Sequence, residues 1–360
     1  MSSILFVISL LSGNGTMKLE DDIRRRENMD LLIQVKKHFS KMGWCYFAVS
    51  LLICVVQLIL VRVVDLVAPQ VSENINGQLL LSVISMYVVS FPILAVILKR
   101  FVPAQKIEKK KMSAGKYVVA AIMCLGLAYV TNLAGNLMTI IIGMLKGSPV
   151  NNTMLELTAD LSPWVILFYM VIAAPILEEI FFRKMIVERT AKYGDWAAIL
   201  TSGLMFGLFH GNLNQFVYAT AIGMFFAYLY VKTGNLKITI SLHMLFNFIG
   251  GFLSTLILRS IDIQAYMDAA VTGNVDNIMK AIGDHLPGWI CYGVLIVFVC
   301  CMILASIVLF VVMAALRKFK FERGEIDIPW KLRYSILYAN LGMLAFGAFW
   351  MIMILRQLLA

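Results

Sequence analysis

Apolar residues fill this chain in long runs, separated by short polar segments that carry nearly all of its charge. The runs cover roughly 43–61, 79–98, 117–144, 161–182, 196–210, 216–231, 238–258, 289–316 and 334–355. Most reach the about 18 to 20 residues that cross a hydrocarbon core as an α-helix. No water is available there to pair with backbone amides and carbonyls, so such segments satisfy them internally as helices. The pattern predicts an all-α, polytopic membrane protein with about nine transmembrane helices, residues 43–360 forming a single helical membrane domain. Ahead of the first run, Leu31, Leu32, Val35, Phe39 and Met42 recur at helical spacing among lysines and arginines. Residues 1–42 are therefore expected to be a cytoplasmic segment whose part 18–42 lies as an amphipathic helix on the membrane surface. The apolar stretch within residues 1–16 is too short to span and lacks a basic leader, so it reads as an upstream extension with Met17 as the initiator.

Composition sharpens this picture. Hydrophobic residues make up 61% and charged residues 14%, against about 25% charged in soluble domains. The formal charge of +10 would suit a nucleic-acid partner, but its placement argues for topology instead. Lys and Arg alternate between the intervening segments, 26 of the 31 falling on one side. Only Arg62, Lys146, Arg259, Lys280 and Arg356 fall on the other. The positive-inside rule then puts the N-terminus in the cytoplasm and the C-terminus outside, with the bilayer rather than nucleic acid as partner. The cluster Lys106, Lys109, Lys110, Lys111 and Lys116 reads as a cytoplasmic anchor, and 259–287 as a solvated external loop. All six cysteines lie in apolar runs without C-x-x-C spacing and read as buried thiols.

Ionisable residues inside the bilayer are costly and mark function, and here they concentrate in one third of the chain. The fourth run ends AAPILEEIFFR, with Glu178, Glu179 and Arg183; the fifth ends FGLFH, with Phe206 and His210; the seventh holds HMLFN, with His243 and Asn247. Glu179 and Arg183 are one turn apart and can pair. Glu178 sits about 100° around the helix from Glu179, so one carboxylate can be structural while the other faces a cavity. His243 and Asn247 share a face, Phe206 walls the face of His210, and Pro175 can kink the fourth helix ahead of the glutamates. A carboxylate in a low-dielectric pocket suits a general base acting on water, with a histidine beside it to orient the water or carry its proton. A second histidine with an asparagine offers donors to an oxyanion. Together these types suit peptide or amide hydrolysis; no serine or cysteine stands out as nucleophile, since Ser241 near His243 has no base.

The three motifs EExxxR, FxxxH and HxxxN, in this order on successive membrane segments, resemble the CPBP family, the CAAX protease and bacteriocin-processing (Abi) group that includes the type II CAAX prenyl endopeptidases. The resemblance covers about residues 160–250, the expected catalytic core. It implies an intramembrane, metal-independent glutamic-type endopeptidase without a cofactor, acting on a membrane-associated peptide or protein, lipidated or not. By that resemblance Glu178 matches the water-activating glutamate, His210 its partner, His243 and Asn247 the oxyanion pair, and Glu179 and Arg183 supporting positions. Two rival readings stand beside it. One is a zinc-dependent peptidase using Glu178 and the two histidines; the other is a transporter, immunity or scaffold protein that only binds in the pocket. Asn132, Asn136 and Asn340 read as interhelical glue. Counted from the charged loops, His210 lies deeper than Glu178. The fifth span is therefore expected to be short, with the site part-way into the bilayer and open to the cytoplasm.

Overall fold

The computed structural model describes residues 13–359, and among them there is no strand. Nine helices of this described part form the bundle: α1 (Gly13–Val67), α2 (Ile75–Phe101), α3 (Ala114–Lys146), α4 (Pro163–Tyr193), α5 (Asp195–Phe209), α6 (Leu213–Thr233), α7 (Leu236–Arg259), α8 (Leu286–Ala315) and α9 (Leu341–Leu359). Eight are long and apolar enough to cross a membrane, and α5 is the short one, at 15 residues. Large apolar side chains are exposed along them, as on Leu58, Leu133, Val294 and Leu304. Such faces are stable only against lipid, where no hydrophobic penalty attaches to them.

Two boundaries toward the ends of the chain differ from the hydropathy pattern. The stretch 18–42 is not a separate surface helix but the continuous lower part of α1, because Val35, Phe39 and Met42 are buried in the bundle. His38 on that same face meets the Arg189 carbonyl at 2.8 Å. The ninth span starts at Leu341, because Asn340 caps it: its side chain accepts the Met343 amide at 3.1 Å. Asn340 is thus a cap, with its own amide turned back onto the Ile336 and Leu337 carbonyls of the short helix Trp330–Leu337. The reading of residues 1–16 falls largely on 1–12, outside the described residues.

The hairpin α4–α5 positions the chemistry. Its turn is Gly194, whose φ of 102° is closed to residues with a Cβ. Arg189 extends α4 well beyond Arg183, donating from Nε to the Val102 carbonyl at 2.9 Å. Glu178 precedes Gly194 by 16 residues and His210 follows it by 16. At about 1.5 Å per residue both stand about 24 Å from the turn, hence at one depth. The mismatch in depth expected from the charged loops disappears because α4 runs on helically through 184–193.

Helices α5 and α6 approach closely enough that a Cβ on Gly203 would meet the Met224 amide nitrogen at 2.8 Å and the Thr220 carbonyl at 2.9 Å. This is the small-residue packing that draws helices together where no hydrophobic drive exists. Asn136 and Asn214 add interhelical glue, the Asn214 amide donating to Asn136 at 3.2 Å while Asn136 donates to Asn132 at 3.0 Å.

Candidate active site

Four helical segments around the site have widened, π-type hydrogen bonding: Ile84–Ser90 in α2, Ile166–Ala173 and Glu179–Lys184 in α4, and Phe248–Leu253 in α7. Those in α4 flank Pro175, which has no N–H to give to the ladder. Carbonyls released by the wider turns are taken up by side chains of neighbouring helices, as buried acceptors must be. Tyr46 of α1 donates to the Phe181 carbonyl, Ser202 of α5 to that of Phe182 at 2.7 Å, and Asn247 of α7 to that of Met170 at 2.8 Å. The widened turns therefore fix α4 from three sides. Such π segments recur at functional sites because they re-aim side chains.

Glu178, Phe206, His210, His243 and Asn247 all line one cavity of about 450 Å³. Glu179 and Arg183 lie beneath it. Both are fully buried, and Arg183 Nη2 meets Glu179 Oε1 at 2.9 Å. The Glu178 side chain keeps 16% exposure, so the two adjacent carboxylates are divided between a cavity wall and an interior ion pair. His243 joins them. Its Nδ1 lies 3.1 Å from Glu179 Oε1 and its Nε2 lies 3.7 Å from Glu178 Oε2. The ring of Phe206 packs under the Arg183 guanidinium, 4.2 Å from its carbon, and edge-on to His210 with centroids 4.8 Å apart. An aromatic face over a desolvated guanidinium is a favourable cation–π contact.

His210 ends α5, and its Nδ1 is 2.8 Å from the Phe206 carbonyl. A carbonyl only accepts, so Nδ1 carries the hydrogen and Nε2 is the ring atom left for a further partner. Asn247 spends one amide hydrogen on Met170, which leaves the other for a ligand. In this arrangement His243 is an intermediary between carboxylates rather than a free-standing donor beside Asn247. Its helical spacing from Asn247 gave no hint of Glu179 as partner.

One contact has no counterpart in the motifs. Tyr87, in the π segment of α2, donates its hydroxyl to Glu178 Oε1 at 3.1 Å and is itself buried. A single tyrosine in an apolar run 91 positions before the glutamate has no sequence pattern to betray it. Ser241 lies elsewhere, donating to the Ile238 carbonyl and accepting from Tyr117 of α3. Among the described residues, no group of three His, Cys, Asp or Glu side chains stands so as to hold a metal ion.

The outer walls of the cavity are Asn152, Leu155 and Thr158, before α4, and Ser254, Thr255 and Leu258, at the end of α7. These belong to the end of the bundle that carries few cations. The expected opening toward the basic loops is thus corrected. The ion pair Glu179–Arg183 and the ring of Phe206 floor the cavity on that side.

Residues 160–249 match the family model described as type II CAAX prenyl endopeptidase Rce1-like. The matched segment runs from just before α4 into α7 and holds all three motifs. A Bacillus subtilis (strain 168) protein named "Putative membrane peptidase YdiL" is 29% identical over 182 residues, which cover 50% of this chain and 73% of that protein. No solved structure matches the chain. Through its segment 160–249, which carries the paired glutamates, both cavity histidines and Asn247, the chain is similar to the Rce1-like type II CAAX prenyl endopeptidases.

Proposed function

We propose that this protein is a metal-independent intramembrane endopeptidase in which Glu178 activates water for attack on a peptide bond. The observation that carries the reading is the division of the adjacent glutamates. One is consumed in a buried ion pair, and the other stands on the wall of a largely apolar cavity with Tyr87, His243 and His210 around it. A base must reach the proton it removes, and a hydrogen-bonded carboxylate at a cavity wall meets that geometric demand.

Glu178 takes a proton from water as the water oxygen attacks the carbonyl carbon, and the same proton is delivered to the departing amine. Tyr87 holds Oε1 in place, which leaves Oε2 for the water. His210 offers Nε2 to that water, its other nitrogen being fixed on Phe206. The remaining Asn247 N–H is the candidate donor to the oxyanion. His243 donates to it only when doubly protonated, with one nitrogen already engaged by Glu179. This differs from a simple His243–Asn247 pair, because the His243 ring stands between the two glutamates.

The test is hydrolysis in H₂¹⁸O by the reconstituted protein, scored on a membrane-tethered peptide library. One ¹⁸O in the new carboxyl terminus from a single turnover, unaffected by chelators and lost in Glu178→Gln, supports direct attack by water. Stoichiometric zinc whose removal abolishes cleavage contradicts the metal-free reading. Intact cellular function in Glu178→Ala contradicts the peptidase reading itself.

A further inference from the structure

The two ends of the bundle differ sharply in charge, and the loops at each end are tied to one another. At one end Lys110 donates its amide to the Thr233 carbonyl, Gln105 its amide to that of Glu188, and Ile326 its amide to that of Lys192. Lys232 there pairs with both Asp195 and Glu322, at 2.6 and 3.1 Å. Apart from Arg183, which lies inside the bundle, these segments, the end of α4 and the start of α1 carry 25 of the 31 Lys and Arg. At the other end Lys146 donates to the Leu358 carbonyl, Gln357 to that of Asn151, and Arg259 to that of Thr158. That end holds the remaining five cations, and more acids than cations: Asp65, Glu73, Glu156, Asp160, Asp262, Asp268, Asp276 and Asp284.

Every cavity-lining residue outside the middle of the bundle, from Asn152 to Thr158 and from Ser254 to Leu258, belongs to the cation-poor end. Among the described residues, none from the basic loops lines the cavity. Beneath Glu178 the way to the basic end is filled by Arg183, Phe182 and Phe226, which are fully buried. Basic segments are retained in the cytoplasm during insertion. The cavity mouth therefore faces the opposite compartment.

Resting on the peptidase reading above, we infer that the substrate is an extended peptide segment presented on the extracytoplasmic side, which enters past Leu155 and Leu258 to reach Glu178. Glu178 lies 15 residues into α4 from Pro163, or about 22 Å along a helix. A folded surface loop does not descend that far, whereas about seven residues of extended chain do, at about 3.3 Å each. The walls supply uncharged groups, among them Asn132, Asn152, Tyr129, Met154 and Leu155. The segment inserted is accordingly neutral or apolar, since a charge would be desolvated there without a partner other than Glu178.

The test is cysteine accessibility in intact cells with a membrane-impermeant thiol reagent, each variant read above the background of the wild-type chain and its native cysteines. Leu155→Cys is expected to label in intact cells, and Lys109→Cys on the basic end only after permeabilisation. Preincubation with a seven-residue apolar peptide is expected to reduce labelling of Leu155→Cys. Labelling of Leu155→Cys only after permeabilisation, or its absence while Lys109→Cys reports normally, overturns the assignment. Adding Glu178→Gln to Leu155→Cys leaves labelling unchanged, so the sidedness stands or falls independently of whether Glu178 is the catalytic base.

Discussion

Glu178 and Glu179 are neighbours in the chain, yet their surroundings predict opposite responses to substitution. Removing one partner of a buried ion pair leaves a charge without compensation, at a cost of about 3–5 kcal/mol. Glu179→Gln or Arg183→Leu should therefore lower thermal stability markedly in detergent, with the double substitution less harmful than the sum of the two. Glu178→Gln should leave the unfolding temperature nearly unchanged while cleavage falls about 10²- to 10⁴-fold, the usual contribution of a general base. Tyr87→Phe removes one hydrogen bond to a carboxylate, worth about 1.5–3 kcal/mol. It should reduce kcat by about ten- to a hundredfold with KM little altered, whereas a purely structural tyrosine would instead shift the unfolding temperature. The Glu179–Arg183 pair and both histidines were readable from spacing, since ionisable groups at helical intervals inside apolar runs are too costly to persist without a role. The choice of Glu178 over Glu179 for the cavity came only from the family resemblance. Tyr87 was not readable, because aromatic residues are ordinary in membrane helices, and its partner lies on another helix.

Among the helices, the equal spacing of Glu178 and His210 about Gly194 is what brings the two side chains to one depth. The shortness of α5 was readable in its apolar run, but its meaning depended on how far α4 continues. Arg189 and Lys192 hid that continuation from a hydropathy reading, because they look like a loop although Arg189 is buried with carbonyl partners. The π segments left only one trace in the sequence, Pro175; the rest arise from packing, which residue patterns do not encode. At the α5–α6 crossing, Gly203→Val places a branched side chain against the Thr220 carbonyl and the Met224 backbone. Forcing volume into a packed contact costs about 1–3 kcal/mol. The helices should separate, and activity should fall together with stability, a pattern opposite to that of Glu178→Gln.

For the molecule as a whole, the alternation of cations along the chain is realised as two chemically distinct ends, with the cavity open at the acidic one. The side of the opening was not readable from motifs, because spacing orders residues around a helix but does not say which end is plugged. The basic end is held by Lys232 between Asp195 and Glu322. The hydrogen bond from Lys232 holds the Glu322 carboxyl below its ordinary range. A depressed carboxylate stabilises the fold above its unfolded value of about 4.3 and loses that contribution as pH falls through the lower folded value. The stability difference between wild type and Glu322→Gln should therefore be present at neutral pH and shrink under acid. A difference unchanged by acid would mean that the Lys232 contact contributes nothing.

The proposed catalysis by Glu178 is tested most directly by comparative proteomics of membranes from cells carrying the wild-type protein or Glu178→Gln at matched abundance. Peptides trimmed only in the wild type are expected, with cut sites in extended, uncharged segments. Identical peptide termini in the two membranes would contradict the peptidase assignment.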